Sequence, residues 1–530
     1  MSKVGVALGD LLAKVLPTDV KVTIRHISST PATTTALFVP PPGEEPEPTF
    51  CENHFLSVSV TPNDKGDWGE IIVFGIEVLI YTTAHLTTIF VSKADSTGHL
   101  HLLKAAPKSS ILRRVANTFL SFLVQAHQRP GVRLVVSLFA RSQNQYLFPG
   151  SIENPEKHVL DDRGLIKWWC RVLDPIIREY EPESASQEQD KKHEESSRSS
   201  ATAYLIVPGC DRFETRGFFP SSAKPDDKYR PRWLNAYPLR QLCSKPDAPP
   251  RSLVPRFPDD PKTRFLVDLD DELPEAAGAE SSSGHWRSVK SLDQFWEMMS
   301  FRQECSAGRL VGFLWLVINP PGVVNSNPML SSTAGLAEVK DTTIRVKEGP
   351  ETETQPLASD APTSSDQAQV PEVPKSSGDA PIPRSDDQTK AQQANDGSAF
   401  YWPQEARGHA VLNEEDYKKA INFLLEQDFY NEEVSFASTK AFNEKVAALA
   451  DELWVGQHVV GKNAFDESPV PSQPSDVPAT TLLVRKRKKD EGAASGQAPS
   501  GSTESATAQD AGVNLLQGSL IRKKKKTSEA

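Results

Sequence analysis

Apolar positions along the chain repeat at two spacings, and the changes between them divide it into elements. Residues Gly9 to Val15 predict a short amphipathic helix stopped by Pro17, and Val20 to Ile27 alternate as a strand. Pro40, Pro41 and Pro42 mark a loop with the acidic stretch beside them. Phe55 to Val60 reads as a strand. So does the near-continuous apolar run Ile71 to Tyr81, whose length and β-branched content suit a central strand buried on both faces. Thr87 to Val91 is a further β-rich run and ends in Ser92-Lys93-Ala94-Asp95. Beyond a turn at Gly98, Ser109 or Ser110 caps a helix that places Ile111, Val115, Phe119 and Phe122 at helical spacing. Val132 to Phe139 predicts another buried strand. Leu160 to Tyr180 predicts a helix carrying Leu165, Trp168, Trp169, Val172, Leu173 and Ile176. Ala203 to Val207 and Leu310 to Ile318 read as strands, with a short helix over Leu292 to Arg302 between them. Late in the chain, Asn413 can cap a helix with Tyr417, Ile421, Leu424 and Leu425 on one face. A second helix there puts Phe442, Val446, Leu449, Leu453 and Trp454 on one stripe. Isolated pairs of short helices are marginal in water, so residues 399–462 are assigned back to the body formed by residues 1–323.

Composition narrows this to one interrupted α/β body. Of 530 residues 42 are proline, and residues 324–398 and 463–530 hold few aromatic or branched apolar side chains. Such segments bury too little surface to offset chain entropy, and disorder is expected in both. The charged, serine-rich stretch 181–200 reads as a surface loop inserted in the body. The formal net charge of −11 excludes a protein that binds nucleic acid by overall charge, and no direct sequence-specific nucleic-acid contact is expected. An acidic body suits a basic protein substrate, although surplus acid also keeps a large protein soluble. Two basic runs, Arg485 to Lys489 and Arg522 to Lys526, stand apart in the tail, where such runs serve nuclear import or contact acidic partners. Cys51, Cys170, Cys210, Cys243 and Cys305 are scattered, with no CxxC and no Cys/His zinc spacing. That pattern predicts a reducing compartment and no structural metal. No signal-peptide pattern opens the chain and no apolar run approaches the ~20 residues of a membrane span, so a soluble intracellular protein without membrane contact is expected.

Four segments carry candidate chemistry, and each also has an ordinary structural explanation. Phe90 to Asp95 ends a buried strand, and Leu103 to Lys108 leads from there into the capped helix, where backbone N–H groups suit a diphosphate. Surface lysines on a strand–loop–helix would look the same. Phe139 to Pro149 turns a strand end into an amide-rich loop. There Arg141 offers a planar fork to phosphate and Tyr146 a hydroxyl to a leaving thiolate, or Tyr146 is simply a core tyrosine with a bonded tip. His158 precedes Trp168-Trp169, adjacent helical positions that point about 100° apart, so one indole can pack while the other lines a pocket, or the pair is simply core and rim. Phe257 to Phe265 sets Asp259 and Asp260 between two prolines, with Lys262 and Arg264 beyond. Paired carboxylates there could guide and deprotonate an ammonium. Equally, Asp260 and Pro261 could cap the next helix.

These segments, in this order, resemble the fungal histone acetyltransferases known as regulators of Ty transposition. The matching strings are IFVSKAD (89–95), F-A-R-x-x-x-Q-Y-L-F-P (139–149), K-H-x-L (157–160) followed by K-W-W (167–169), and F-P-D-D-P-K-x-R-F (257–265). The similarity runs from the N-terminal D-L-L-A-K-V-L-P to about Val317 and resumes in the late helices and basic tail. It implies a central mixed β-sheet surrounded by helices, similar to the metazoan CREB-binding-protein acetyltransferases. The implied activity is acetyl transfer from acetyl-CoA, without a metal, to lysines of histone H3. The H3–H4 substrate would be presented by histone chaperones of the NAP and anti-silencing-function types, in the nucleus, during replication-coupled chromatin assembly and the DNA damage response. By position, the likeliest acid/base residue falls on Asp260 with Asp259 beside it. Asp95, Tyr146 and Trp169 match other activity-critical positions, and Lys262 matches a self-acetylated lysine. Acetyl-CoA contacts would fall on Ala94, Asp95, Ser96, Leu103, Lys104, Ala105, Ala106, Pro107, Phe139, Arg141, Gln143, His158, Val159, Leu160, Trp168 and Arg264. Yeast-type members carry a long insertion where Ala126 to Val132 is short here, which leaves open any chaperone contact made by that insertion. The alternative reading is an inactive histone- or chaperone-binding scaffold of the same fold.

Overall fold

The structure is a computed structural model and describes residues 6–62, 69–103, 108–183, 198–243, 245–273, 285–305, 308–321 and 399–464. Most of the inserted stretch 181–200, the linker 324–398 and both basic runs of the tail lie outside the described residues. Helix α1 (Leu8–Val15) precedes β1 (Lys21–Ser29), β2 (Ala32–Thr34), β3 (Thr49–Val60), β4 (Ile71–Thr82) and β5 (Leu86–Ser96). Helix α2 (Lys108–His127) leads to β6 (Arg133–Arg141), and α3 (Asp162–Arg178) to β7 (Glu181–Pro182) and β8 (Ser200–Ile206). Next come α4 (Arg212–Arg216), β9 (Trp233–Leu234), α5 (Leu239–Leu242), α6 (Pro261–Asp270), α7 (Leu292–Met299) and β10 (Val311–Asn319). The last described elements are β11 (Ala410–Leu412), α8 (Glu414–Leu425), α9 (Glu432–Leu449) and β12 (Gln457–Val460).

These strands form one mixed sheet in the order β11-β1-β3-β4-β5-β6-β10-β8-β7, with helices on both faces, as expected for the fold class. Its centre explains the apolar runs. Leu134, Val136 and Leu138 of β6 join the core beneath α1, α2 and α3. Val135, on the alternate side, joins Phe265, Trp286, Phe295, Phe313 and Trp315 beneath α6 and α7. A strand covered on both faces needs no polar alternation. At the other edge, β11 runs parallel to β1 through Ile27 and Ala410, and β12 runs antiparallel to it through Lys21 and Val460. Helices α8 and α9 cover Ile27, Phe55 and Ile72. No helix among the described residues is long and apolar enough to cross a membrane.

Three expectations are corrected. β3 begins at Thr49, six residues before the expected start, because Glu52, Asn53 and His54 are polar yet buried. Helix α2 begins at Lys108, which puts Ser109 and Ser110 inside its first turn. The stripe of the last helix stops at Leu449: Asp451 takes a left-handed φ of 54° and breaks the periodicity. Leu453 is consequently fully exposed, and Trp454 lies half-exposed against Arg25.

Candidate active site

The cleft follows from how β5 and β6 part. They pair in parallel, joined by the crossover helix α2, only as far as Val91 and Leu138. Beyond that point β5 continues with β4 and β6 with β10. Parting carboxyl ends of parallel strands leave a crevice where α/β proteins bind ligands. A bulge adds to it: Val78 pairs with Val91 but Glu77 pairs with Lys93, so Ser92 is an extra residue on β5.

The resulting cleft has a volume of about 400 Å³. Ala94, Asp95 and Ser96 form its floor. Phe139, Arg141, Gln143 and Tyr146 form one wall, and His158, Val159, Leu160, Trp168 and Trp169 the other. Leu103 packs instead into the core, while its neighbours Leu100 and His101 line the cleft. Lys104, Ala105, Ala106 and Pro107 lie outside the described residues. Arg264 lines an adjoining mouth with Asp259, Asp260 and Asp268. The mouth shares Ser92, Lys93, Phe139, Arg141, Gln143 and Tyr146 with the cleft, so the two are continuous.

Asp95 ties the floor together. One oxygen accepts from the Tyr146 and Leu147 amides at 2.7 and 3.1 Å; the other accepts from the Ser96 amide at 2.8 Å and from Lys157 Nζ at 2.9 Å. The Tyr146 hydroxyl donates to the Arg141 carbonyl at 2.5 Å, closing the turn on itself. Burial raises the pKa of that hydroxyl, so it stays protonated. Beyond the turn, Leu147 and Phe148 are fully buried. Gly75, paired with Asp95, makes room for them: a Cβ there would sit 2.9 Å from the Phe148 ring.

The α3 wall is fixed at its first turn. Asp161 caps the helix by accepting from the Gly164 amide, and Asp162 accepts from the Ser142 amide across the loop. Trp169 is buried and Trp168 half-buried, with ring centroids 4.8 Å apart in an edge-on arrangement. Both line the cleft, so the expected division of one packed and one lining indole holds only for Trp168 being the more open.

At the mouth, the capping explanation and the candidate site coincide. Phe257 stacks on Phe90 at 4.1 Å, seating the Asp259–Asp260 segment. Asp260 caps α6 by accepting from the Lys262 amide at 2.9 Å, with Pro261 in the first helical position. The same carboxylate accepts from Lys262 Nζ, and both side chains are 1% exposed. That nitrogen also lies 4.5 Å from the centre of the Phe313 ring. Burial lowers the Lys262 pKa, against the opposing pull of Asp260. Asp259 is exposed, has a positive φ of 57°, and meets Lys93 Nζ at 3.1 Å. Lys93 also reaches Glu77 at 3.2 Å. Burial works to lower the Lys93 pKa, but Glu77 and then Asp259 outweigh it and raise it.

Glu77, Lys93 and Lys157 enter the site without a role that the sequence alone suggests. Glu77 was detectable, since a lone carboxylate in the run Ile71 to Tyr81 needs a partner once buried. Nothing in the spacing of Lys157 and Asp95 announces their contact across 62 residues.

A mixed sheet, a tryptophan-walled crevice at the ends of parallel strands and a mouth that carries three carboxylates among Lys93, Arg141 and Arg264 suit a group-transfer enzyme. The histone acetyltransferase KAT11-type domain family matches residues 8–132 and 127–445, which makes the transferred group acetyl and acetyl-CoA the co-substrate. The chain is 64% identical over 564 aligned residues to "Histone acetyltransferase rtt109" of Aspergillus flavus, covering 99% of this chain and 100% of that one. It is 33% identical over 247 residues to the Schizosaccharomyces pombe protein of that name, covering 46% and 56% of the two chains. The crystal structure of Rtt109 from Aspergillus fumigatus superposes with a TM-score of 0.70 at 64% identity, covering 87% of this chain and 100% of that one. The chain belongs to the Rtt109 family of histone acetyltransferases.

Proposed function

We propose that this enzyme acetylates lysines of histone H3 within H3–H4 presented by histone chaperones of the NAP and anti-silencing-function types. We assign it to the nucleus, in replication-coupled chromatin assembly and the DNA damage response. The observation that carries the reading is the mouth that sets the carboxylates of Asp259, Asp260 and Asp268 beside the tryptophan-walled cleft. The cleft takes the acyl carrier, with Ala94 to Ser96, Phe139, Arg141, Gln143 and His158 to Leu160 around it, and Arg264 extends the same contacts. The mouth draws in the substrate ammonium, and Trp168 and Trp169 hold its aliphatic stem out of water. The amine attacks the thioester carbonyl, the C–N bond forms and the C–S bond breaks. Asp259 and Asp260 guide the amine proton away, and Tyr146 gives a proton to the leaving thiolate. Asp95 positions the Tyr146 turn, and orientation supplies much of the rate. Lys262, with its lowered pKa, is the site of self-acetylation.

Mass spectrometry of H3–H4 after incubation with acetyl-CoA, free and chaperone-bound, tests this. Acetyl groups are expected at the start of the histone core and in the N-terminal tail, with chaperones stimulating transfer. Equal acetylation of unrelated basic proteins, or indifference to chaperones, would overturn the reading.

A further inference from the structure

The buried polar half of β3 holds a cluster that acetyl transfer does not use. Glu52 and His54 are two residues apart on a strand, so both project from the same face. His127, the last residue of α2, comes down beside them. The three side chains are 0–2% exposed. Glu52 Oε1 lies 2.6 Å from His127 Nε2. Glu52 Oε2 and His54 Nε2, both buried, have no hydrogen-bond partner among the described residues and face each other across 3.7 Å. That gap is too long for a hydrogen bond. It is close to the spacing of about 3.3 Å that two bonds of about 2.0 Å set around one tetrahedral ion. All three donor atoms lie within 4.8 Å of one another.

We propose that Glu52, His54 and His127 form a binding site for a divalent transition-metal ion, zinc by its ligand type.

The surroundings fit that assignment. A metal-bound histidine engages its second ring nitrogen with a neighbour. His54 Nδ1 lies 2.9 Å from His26 Nε2, and His127 Nδ1 lies 2.8 Å from the Leu123 carbonyl. Each ring thereby turns Nε2 toward Glu52. One carboxylate and two imidazoles make a donor set with a single negative charge, suited to a divalent ion with a water in the fourth position. With His127 Nδ1 committed to a carbonyl, one proton lies between His127 Nε2 and Glu52. Binding exchanges that proton for the ion and releases it to solvent.

The ion would clamp the end of α2 to β3 beneath the returning chain. Tyr401 lies over His127 at 6.3 Å and donates to the Ala126 carbonyl at 3.3 Å. The cluster is absent from the usual sequence patterns for zinc because it pairs a strand Glu-x-His with a single distant histidine and uses no cysteine.

The test uses the full chain, stripped with chelator, reloaded with zinc and desalted. About one zinc per chain is expected by elemental analysis, with X-ray absorption showing nitrogen and oxygen ligands only. Glu52→Gln and His54→Gln should abolish retention, while exposed His85→Gln should keep it. A melting temperature that rises on adding zinc to the wild-type chain supports the site without requiring any variant to fold. Failure of wild type to retain zinc, sulfur in its coordination shell, or full retention by a folded His54→Gln protein would each overturn the proposal. None of these readouts depends on acetyl transfer.

Discussion

Asp95 and Asp260 each hold a buried lysine, one pair at the floor of the cleft and the other at its mouth, yet the pairs differ in construction. Asp95 accepts from Lys157 and from three backbone amides, and its partners come from β5, the Tyr146 turn and residue 157. Asp260 takes both of its contacts from Lys262, two residues away, and packs that lysine against an aromatic ring. The first pair joins distant segments, so loosening it loosens the floor. The second joins two residues of one helix end, and it meets the sheet only through the packing of its lysine on β10. A long-range carboxylate knot therefore sets geometry, whereas a local pair in apolar surroundings sets the protonation of its lysine.

The most severe way to break this contrast is Asp95→Ala. It strands a buried Lys157 and frees the Tyr146 and Leu147 amides together, and loss of one partner of a buried pair costs about 3–5 kcal/mol. Urea unfolding should show that loss, and transfer to histone should fall on the order of a hundredfold through misplacement of the turn. Histone transfer left intact in a folded Asp95→Ala protein would remove Asp95 from any role in the site.

Asp260→Asn should act more mildly on stability. Asparagine still caps α6, and Lys262 can shed its proton once the carboxylate charge is gone, which limits the cost to about 2 kcal/mol. Transfer should nevertheless drop by about tenfold or more if Asp260 is the acid/base group proposed above, because that group is lost while the fold is kept. If Asp260→Asn destabilised the protein as much as Asp95→Ala, the local pair would be as structural as the knot.

How much of this was legible beforehand depended on whether burial and polarity agreed. Strands such as Ile71–Thr82 and Val311–Asn319 announced themselves because both faces are covered, and their apolar runs left few alternatives. The first half of β3 did not, since Glu52 and His54 look like surface residues until His127 is brought to them by the fold. Leu453 and Trp454 misled in the opposite sense: they continue a helical spacing that the left-handed turn at Asp451 has already ended. In the site, the segments were recognisable as strings, and the cleft and mouth bring most of their residues together. Their mutual contacts were not recognisable, because Asp95 meets Lys157, and Glu77 meets Lys93, only through the sheet register and the bulge at Ser92.

The smallest effect gives the sharpest form of the comparison, since the two lysines beside the acidic pair titrate in opposite senses. Burial puts the folded pKa of Lys262 below the ordinary 10.5, so the unfolded chain holds that proton more tightly. Stability therefore rises with pH between the folded value and 10.5, by about 1.4 kcal/mol for each unit of separation. Lys93 is raised above 10.5, so its contribution is fully present below 10.5 and is lost as pH climbs through the folded value. Urea unfolding at a series of alkaline pH values should show Lys262→Met lacking the rise below 10.5, and Lys93→Met lacking the decline above it. Identical slopes in wild type and Lys262→Met would mean that Asp260 fully offsets the burial of Lys262. The mouth would then hold a permanently charged lysine, and the distinction from the Asp95 pair would rest on connectivity alone.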